Sequence, residues 1–68
     1  MLLSMPDFTK PELDYIRSLA NFTEREEILF DLRASGTPHE RCAELMNVSL
    51  STEKRINKKM IGKILKLL

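Results

Sequence analysis

The chain has 68 residues, of which 43% are hydrophobic, and its 11 basic and 10 acidic side chains leave a net charge of plus one. This size fits a single domain over residues 1–68 with a thin core, and this composition excludes a disordered chain. One cysteine excludes an internal disulfide, and no apolar run reaches the roughly 20 residues of a membrane-spanning helix. We therefore expect a cytoplasmic protein that has no contact with a membrane.

The first helix is predicted over residues 10–20, after a loose N-terminal stretch at residues 1–8. Thr9 is a suitable N-cap, and Glu12 lies at the third helical position, from which its carboxylate reaches back to the amide of Thr9. Pro11 falls in the first turn, where its missing amide hydrogen removes no helical hydrogen bond. The residues around Thr9 therefore predict a capped helix start.

The second helix is predicted over residues 24–35. Thr23 and Glu26 repeat the capping pattern, and Gly36 is a typical residue after the end of a helix. Apolar side chains then recur at helical spacing. They are Ile28, Leu29 and Leu32.

The third helix is predicted to be short, over residues 38–46. Thr37 is expected to be its N-cap and Pro38 its first helical residue, while Asn47 tolerates the left-handed conformation in which helices often end. No segment alternates apolar and polar residues over a useful length, so we expect no sheet and an all-α fold. The apolar residues of this helix are Cys42, Ala43 and Met46.

The fourth helix is predicted over residues 50–66, with Ser49 or Ser51 as its N-cap. Residues 48–68 hold six basic side chains and one acid, whereas residues 1–47 hold five basic side chains and nine acids. The charge of the chain is therefore strongly divided, and a basic helix face suits the phosphates of DNA, although a merely solvated terminal helix has the same pattern. The apolar side comprises Leu50, Ile56, Met60, Ile61, Ile64, Leu65 and Leu68, and the basic residues on the opposite side are Arg55, Lys58, Lys59, Lys63 and Lys66.

Two polar residues, Glu53 and Asn57, fall on the apolar face of the fourth helix. A buried and unpaired carboxylate destabilises a fold by several kcal/mol, so Glu53 must be exposed or paired. We expect a pair from Glu53 to a nearby basic residue of another helix, such as Arg25 or Arg41.

The third and fourth helices have the layout of a helix-turn-helix, in which a short helix, a tight turn and a second helix follow one another. The residues involved resemble the helix-turn-helix shared by region 4 of bacterial sigma factors and the LuxR/NarL DNA-binding domains. Size and layout also resemble short stand-alone regulators from bacterial mobile elements. The matching residues are Phe22-Thr23-Glu24-Arg25-Glu26, Leu29-Phe30, Gly36, Ala43-Glu44, Met46-Asn47-Val48-Ser49, Thr52 and Lys54.

This resemblance implies a small transcriptional regulator that binds double-stranded DNA with the helix beginning near Leu50 in the major groove. The reader positions it implies are Ser51, Thr52, Lys54 and Arg55. Leu50 departs from the family, which has a polar residue at that early position. The resemblance and the basic side of the fourth helix together imply phosphate contacts from Lys58, Lys59 and Lys63, with Arg33 and Arg41 as weaker candidates.

A catalytic or metal-binding role is not expected. His39 and Cys42 have a spacing that suits a metal, but the chain has no second histidine or cysteine to complete a zinc site. We therefore expect a surface histidine, a core cysteine and no cofactor. The acids of the second helix have no partnered nucleophile, so we do not expect an enzyme.

The alternative function is a protein-interaction module with no intrinsic DNA specificity. Region 4 of sigma factors also binds RNA polymerase, and the acidic first half of this chain suits a basic partner. A basic amphipathic last helix equally suits the surface of an anionic membrane or the groove of a partner protein. Its terminal apolar residues exceed the needs of one small core, which makes a homodimer a further candidate. They are Ile61, Ile64, Leu65, Leu67 and Leu68.

Overall fold

A computed structural model describes residues 8–68, and in this part of the chain four α-helices follow one another without a strand. The all-α prediction is therefore confirmed. The predicted loose stretch at residues 1–8 lies outside the described residues except for Phe8, which packs partly buried against the core. The helices are α1 (Lys10–Leu19), α2 (Glu24–Ala34), α3 (His39–Met46) and α4 (Leu50–Leu65).

Side-chain caps begin three of the four helices. The amide of Thr9 donates to Glu12 Oε1 at 2.7 Å, and the amide of Glu12 donates to Thr9 Oγ1 at 3.4 Å, which confirms the predicted capping box of α1. The amide and hydroxyl hydrogen bonds of Thr9 lower the pKa of the Glu12 carboxyl. At α4, the amide of Thr52 donates to Ser49 Oγ at 3.1 Å, so the cap is Ser49 rather than Ser51.

The start of α3 differs from the prediction. Pro38, and not Thr37, is the N-cap, since the carbonyl of Pro38 accepts the first helical hydrogen bond from the amide of Cys42 at 2.9 Å. No side chain caps this helix. The backbone of Thr37 instead anchors the preceding turn, because its carbonyl accepts hydrogen bonds from Arg33 Nη1 at 2.5 Å and from Cys42 Sγ at 3.6 Å.

The chain turns after the first three helices at residues in the left-handed conformation. These residues are Asn21, Gly36 and Asn47, with φ of 55°, 84° and 56°. Beyond α3 the amide of Asn47 donates to the carbonyl of Glu44 at 3.1 Å, and the amide of Val48 donates to the carbonyl of Ala43 at 3.0 Å. These bonds satisfy the last carbonyls of α3 and place Ser49 to cap α4 after a turn of only three residues.

The core takes side chains from all four helices. Phe30 of α2 is fully buried, and the Phe22 ring packs on it with 5.1 Å between the ring centroids. Arg17 fastens α1 to α2, because its guanidinium lies 5.6 Å from the centroid of the Phe30 ring and forms an ion pair with Asp31. The buried apolar cluster comprises Ile16, Ala20, Leu29, Phe30, Cys42, Met60 and Ile64.

The C-terminal apolar residues divide between the core and the surface. Ile64 is fully buried, and Ile61 and Leu67 pack partly buried against the core. Leu65 and Leu68 remain 49% and 68% exposed. Folding back onto the domain therefore accounts for three of the five residues, and two stay on the surface.

Candidate nucleic-acid interface

The exposed face of α4 is basic and uninterrupted by acids. Successive residues of an α-helix are about 100° apart around its axis, so the exposed residues of α4 can be placed in order around it. Lys54, Lys58, Ser51, Arg55 and Lys59 follow one another within about 140° of the circumference. All five are exposed, whereas Glu53, Met60 and Ile64 on the opposite side are buried. The structure therefore gathers these five predicted site residues on one surface, which we call the basic face.

The start of α2 lies beside the basic face and adds one cation to it, Arg25, among the acids Glu24, Glu26 and Glu27. An open cleft of about 680 Å³ separates the two elements, and Arg25 lines it opposite Arg55 and Lys59. Thr52, another predicted site residue, also lines this cleft, where its half-buried hydroxyl accepts from Ser49 Oγ at 2.9 Å. Sequence reasoning missed Arg25 as a member of the site, because only the packing of α2 against α4 brings it there.

The charges of the basic face are unpaired within residues 8–68. Arg25, Lys54, Arg55, Lys58 and Lys59 form no ion pair with any carboxylate of that stretch. By contrast, basic residues elsewhere are engaged: Arg17 with Asp31, and Arg41 with Glu44 at 3.3 Å. The unpaired cations leave this surface with a concentrated positive charge that an anionic partner can neutralise.

Lys63 is the predicted site residue that the structure does not bring to this face. Its ammonium donates to Glu26 Oε1 at 2.5 Å and to the carbonyl of Asn21 at 3.1 Å. The same Glu26 oxygen accepts from the amide of Thr23 at 2.9 Å, completing the capping box of α2. Burial raises the pKa of the Glu26 carboxyl. The hydrogen bond and positive charge of Lys63 and the hydrogen bonds of Thr23 lower this pKa by more, so the net pKa of Glu26 lies below its usual value. Lys63 thus fastens α4 to α2.

The buried carboxylate of Glu53 has a partner that the sequence analysis did not name. Glu53 is 0% exposed, and His39 Nδ1 lies 2.8 Å and 3.1 Å from its two oxygens. The expected interhelical pair of Glu53 is therefore present, but its partner is neither Arg25 nor Arg41, since Arg25 lines the cleft and Arg41 pairs with Glu44. His39 is the first residue of α3, and the α3–α4 turn brings it over the first turn of α4. The pair holds the two helices together beneath the basic face.

Cys42 is buried in the core, as predicted, and His39 is half-buried rather than free at the surface. Burial raises the pKa of the Cys42 thiol, and the negative charge of Glu53 raises it further, while Arg33 opposes both. A thiol in this environment stays protonated and is a poor nucleophile.

Residues 8–68 lack two features that are typical of other classes of site. No group of three or more histidine, cysteine, aspartate and glutamate side chains in that part is arranged to hold a metal ion. None of its helices is long and apolar enough to span a membrane.

No family model, no curated protein and no solved structure matches this chain.

Proposed function

We propose that the protein binds double-stranded DNA, with α4 as the recognition helix of a helix-turn-helix, and acts as a small transcriptional regulator. The observation that carries the proposal is the basic face: exposed cations with no ion pair within residues 8–68, on the helix that follows a three-residue turn. Phosphate neutralisation by such cations supplies most of the affinity of non-specific DNA binding.

The dimensions of α4 suit this role. Its 16 residues make a rod about 24 Å long, and the DNA major groove is about 12 Å wide and admits an α-helix. In recognition helices of this layout the N-terminal residues contact base edges. Ser51, Lys54 and Arg55 would therefore face the bases, while Lys58, Lys59 and the newly placed Arg25 would contact phosphates.

The resemblance to sigma region 4 and LuxR-type domains supports the same proposal. In that family a short helix and a tight turn precede the helix that contacts DNA, and α3, the α3–α4 turn and α4 follow one another in the same order here. The left-handed Asn47 and the Ser49 cap make this turn tight, which supports the resemblance. Membership of the family is part of the proposal and is tested with it.

The test is fluorescence anisotropy of a labelled random-sequence duplex titrated with protein over a series of salt concentrations. The variant is K59Q, and the control is K10Q, which removes the same charge away from the basic face. Each lost phosphate contact lowers the magnitude of the slope of log affinity against log salt by about 0.9, so we expect the slope of K59Q to be shallower by about 0.9. We expect the control to match the wild type.

Two results would count against the proposal. One is the absence of binding at low salt, and the other is an equal loss of slope in the variant and the control. The second result would mean that total charge, and not the basic face, determines the attraction. Circular dichroism of each variant verifies that its helices are intact.

A second candidate function, contact with a protein partner, is favoured by a different surface. Ile28 of α2 and Leu45 of α3 are 44% and 53% exposed and line a smaller cleft of about 340 Å³ with Glu24. Arg25 and Met46 complete the lining, which is therefore mainly apolar with one acid and one base, so a partner with an exposed apolar side chain would fit it. RNA polymerase is the candidate partner that the family resemblance implies.

Sedimentation with purified bacterial RNA polymerase, comparing the wild type with L45D, tests this second function. Binding by the wild type that L45D loses would support it, provided that L45D keeps its affinity for duplex DNA. Equal sedimentation of the two proteins would exclude this surface as the contact.

A further inference from the structure

The first residue of α4 is apolar and exposed at the edge of the basic face. Leu50 is 37% exposed and lies one helical turn before Lys54, on the same side of the helix. It does not belong to the buried cluster or to the partly buried residues that pack against that cluster. Part of its side chain therefore remains on the surface, at the end of α4 that meets the bases in the proposed complex.

The chemistry of the major groove restricts what this side chain can contact. Base edges in that groove present hydrogen-bond donors and acceptors, and the apolar group among them is the C5-methyl group of thymine. A methylated cytosine presents the same group at its own C5 position. A leucine pressed against a polar edge would bury a donor or acceptor without a partner, whereas against a methyl group it buries only apolar surface.

We propose that Leu50 contacts the C5-methyl group of a pyrimidine and thereby makes the protein prefer a site with thymine or 5-methylcytosine at that position. The inference rests on the proposed DNA-binding function and adds a specificity-determining residue to it. The neighbouring Lys54 holds the backbone or an adjacent base while Leu50 reads the methyl group. Where the family that this chain resembles has a polar residue at this position, Leu50 would make an apolar contact with the base.

Removing the methyl group of the base takes one methyl-sized group out of an apolar contact with Leu50. The loss of one such group weakens the affinity for the duplex about fourfold. This is small beside the total affinity, so the experiment compares duplexes that differ by one methyl group and are otherwise identical in charge and length.

The experiment begins with selection of bound duplexes from a randomised library by the wild-type protein. In the enriched duplex each thymine is then replaced singly by uracil, which lacks the methyl group, and each cytosine singly by 5-methylcytosine. Affinities are measured for the wild type, for L50A, for L50M and for the control L45A, whose leucine is exposed but lies on α3.

If Leu50 reads thymine, one uracil substitution weakens wild-type binding about fourfold, and L50A shows no loss at that position. If it reads 5-methylcytosine, one methylated cytosine instead strengthens wild-type binding about fourfold, again without effect in L50A. In both cases L50M and L45A respond like the wild type. Should L50A lack the helical circular dichroism of the wild type, L50Q takes its place.

A wild-type protein that selects a site but responds to no methyl change would overturn the inference and leave the DNA-binding proposal intact. A methyl response that persists in L50A would overturn it as well, because another residue would be the reader. Failure to enrich or bind any duplex would overturn both proposals together. The two failures are therefore distinguishable.

Discussion

The pair between His39 and Glu53 makes a specific prediction about stability. In H39A the fully buried carboxylate loses the imidazole nitrogen that lies 2.8 Å and 3.1 Å from its oxygens. A hydrogen bond to a charged group contributes about 1.5–3 kcal/mol, and a buried polar group left without its partner destabilises a fold by a similar amount or more. The His39 side chain is 32% exposed, so water reaches the vacated position, and we expect a loss of about 2–3 kcal/mol.

This loss is large for so small a domain. At about 0.05–0.15 kcal/mol per residue, the whole fold is stable by only about 3–10 kcal/mol. A change of 1 kcal/mol moves the Tm of a domain of this size by about 4–8 °C. We therefore expect the Tm of H39A to fall by about 10–20 °C in thermal unfolding followed by circular dichroism.

A double-mutant cycle separates the pair from the packing of the histidine. E53V also removes one partner of the pair, but the residue left behind is His39, whose side chain is 32% exposed and can be hydrated, whereas the fully buried position becomes apolar. We expect E53V to remain within about 1 kcal/mol of the wild type, and H39A to change stability little in the E53V background. If H39A is equally damaging in both backgrounds, then the two side chains are not coupled and the reasoning is refuted.

Three further predictions concern single residues. The pKa of Glu26 is lowered in the fold, so its stabilisation is present above its unfolded pKa and is lost as the pH falls through the folded pKa. K63M should therefore lower stability at pH 7 and flatten its acid dependence, as measured by urea unfolding from pH 7 to pH 3; an unchanged slope would contradict this. The raised pKa and burial of the Cys42 thiol predict that Ellman's reagent reacts with it only after unfolding, and fast reaction of the folded protein would contradict its placement. Gly62 lies exposed inside α4 with nothing within 4 Å of an added Cβ, so G62A should stabilise the protein by about 1 kcal/mol in urea unfolding, and a loss of stability would show a hidden contact.

Local physical chemistry determined the helices and most of their ends. Thr9 with Glu12, and Thr23 with Glu26, are capping pairs that need only neighbouring residues, so the sequence predicts them and the structure confirms them. Each predicted helix is one residue longer than the observed helix, and the extra residue is in every case a cap. Cap residues are hard to assign from sequence because they make only half of the hydrogen bonds of a helical residue. Those residues are Ala20, Ser35, Pro38 and Lys66.

Only the tertiary structure determines which charged side chains form pairs between helices and which remain unpaired on the surface. Periodicity placed Glu53 on the buried side of α4 but could not name its partner, since His39 approaches it only through the geometry of the α3–α4 turn. In the same way, the sequence groups Lys63 with the other basic residues of α4, but in the structure Lys63 pairs with Glu26 because α2 packs against α4. The same packing places Arg25 beside the basic face. Partners far apart in the chain depend on helix crossing and side-chain reach, which a single sequence does not specify.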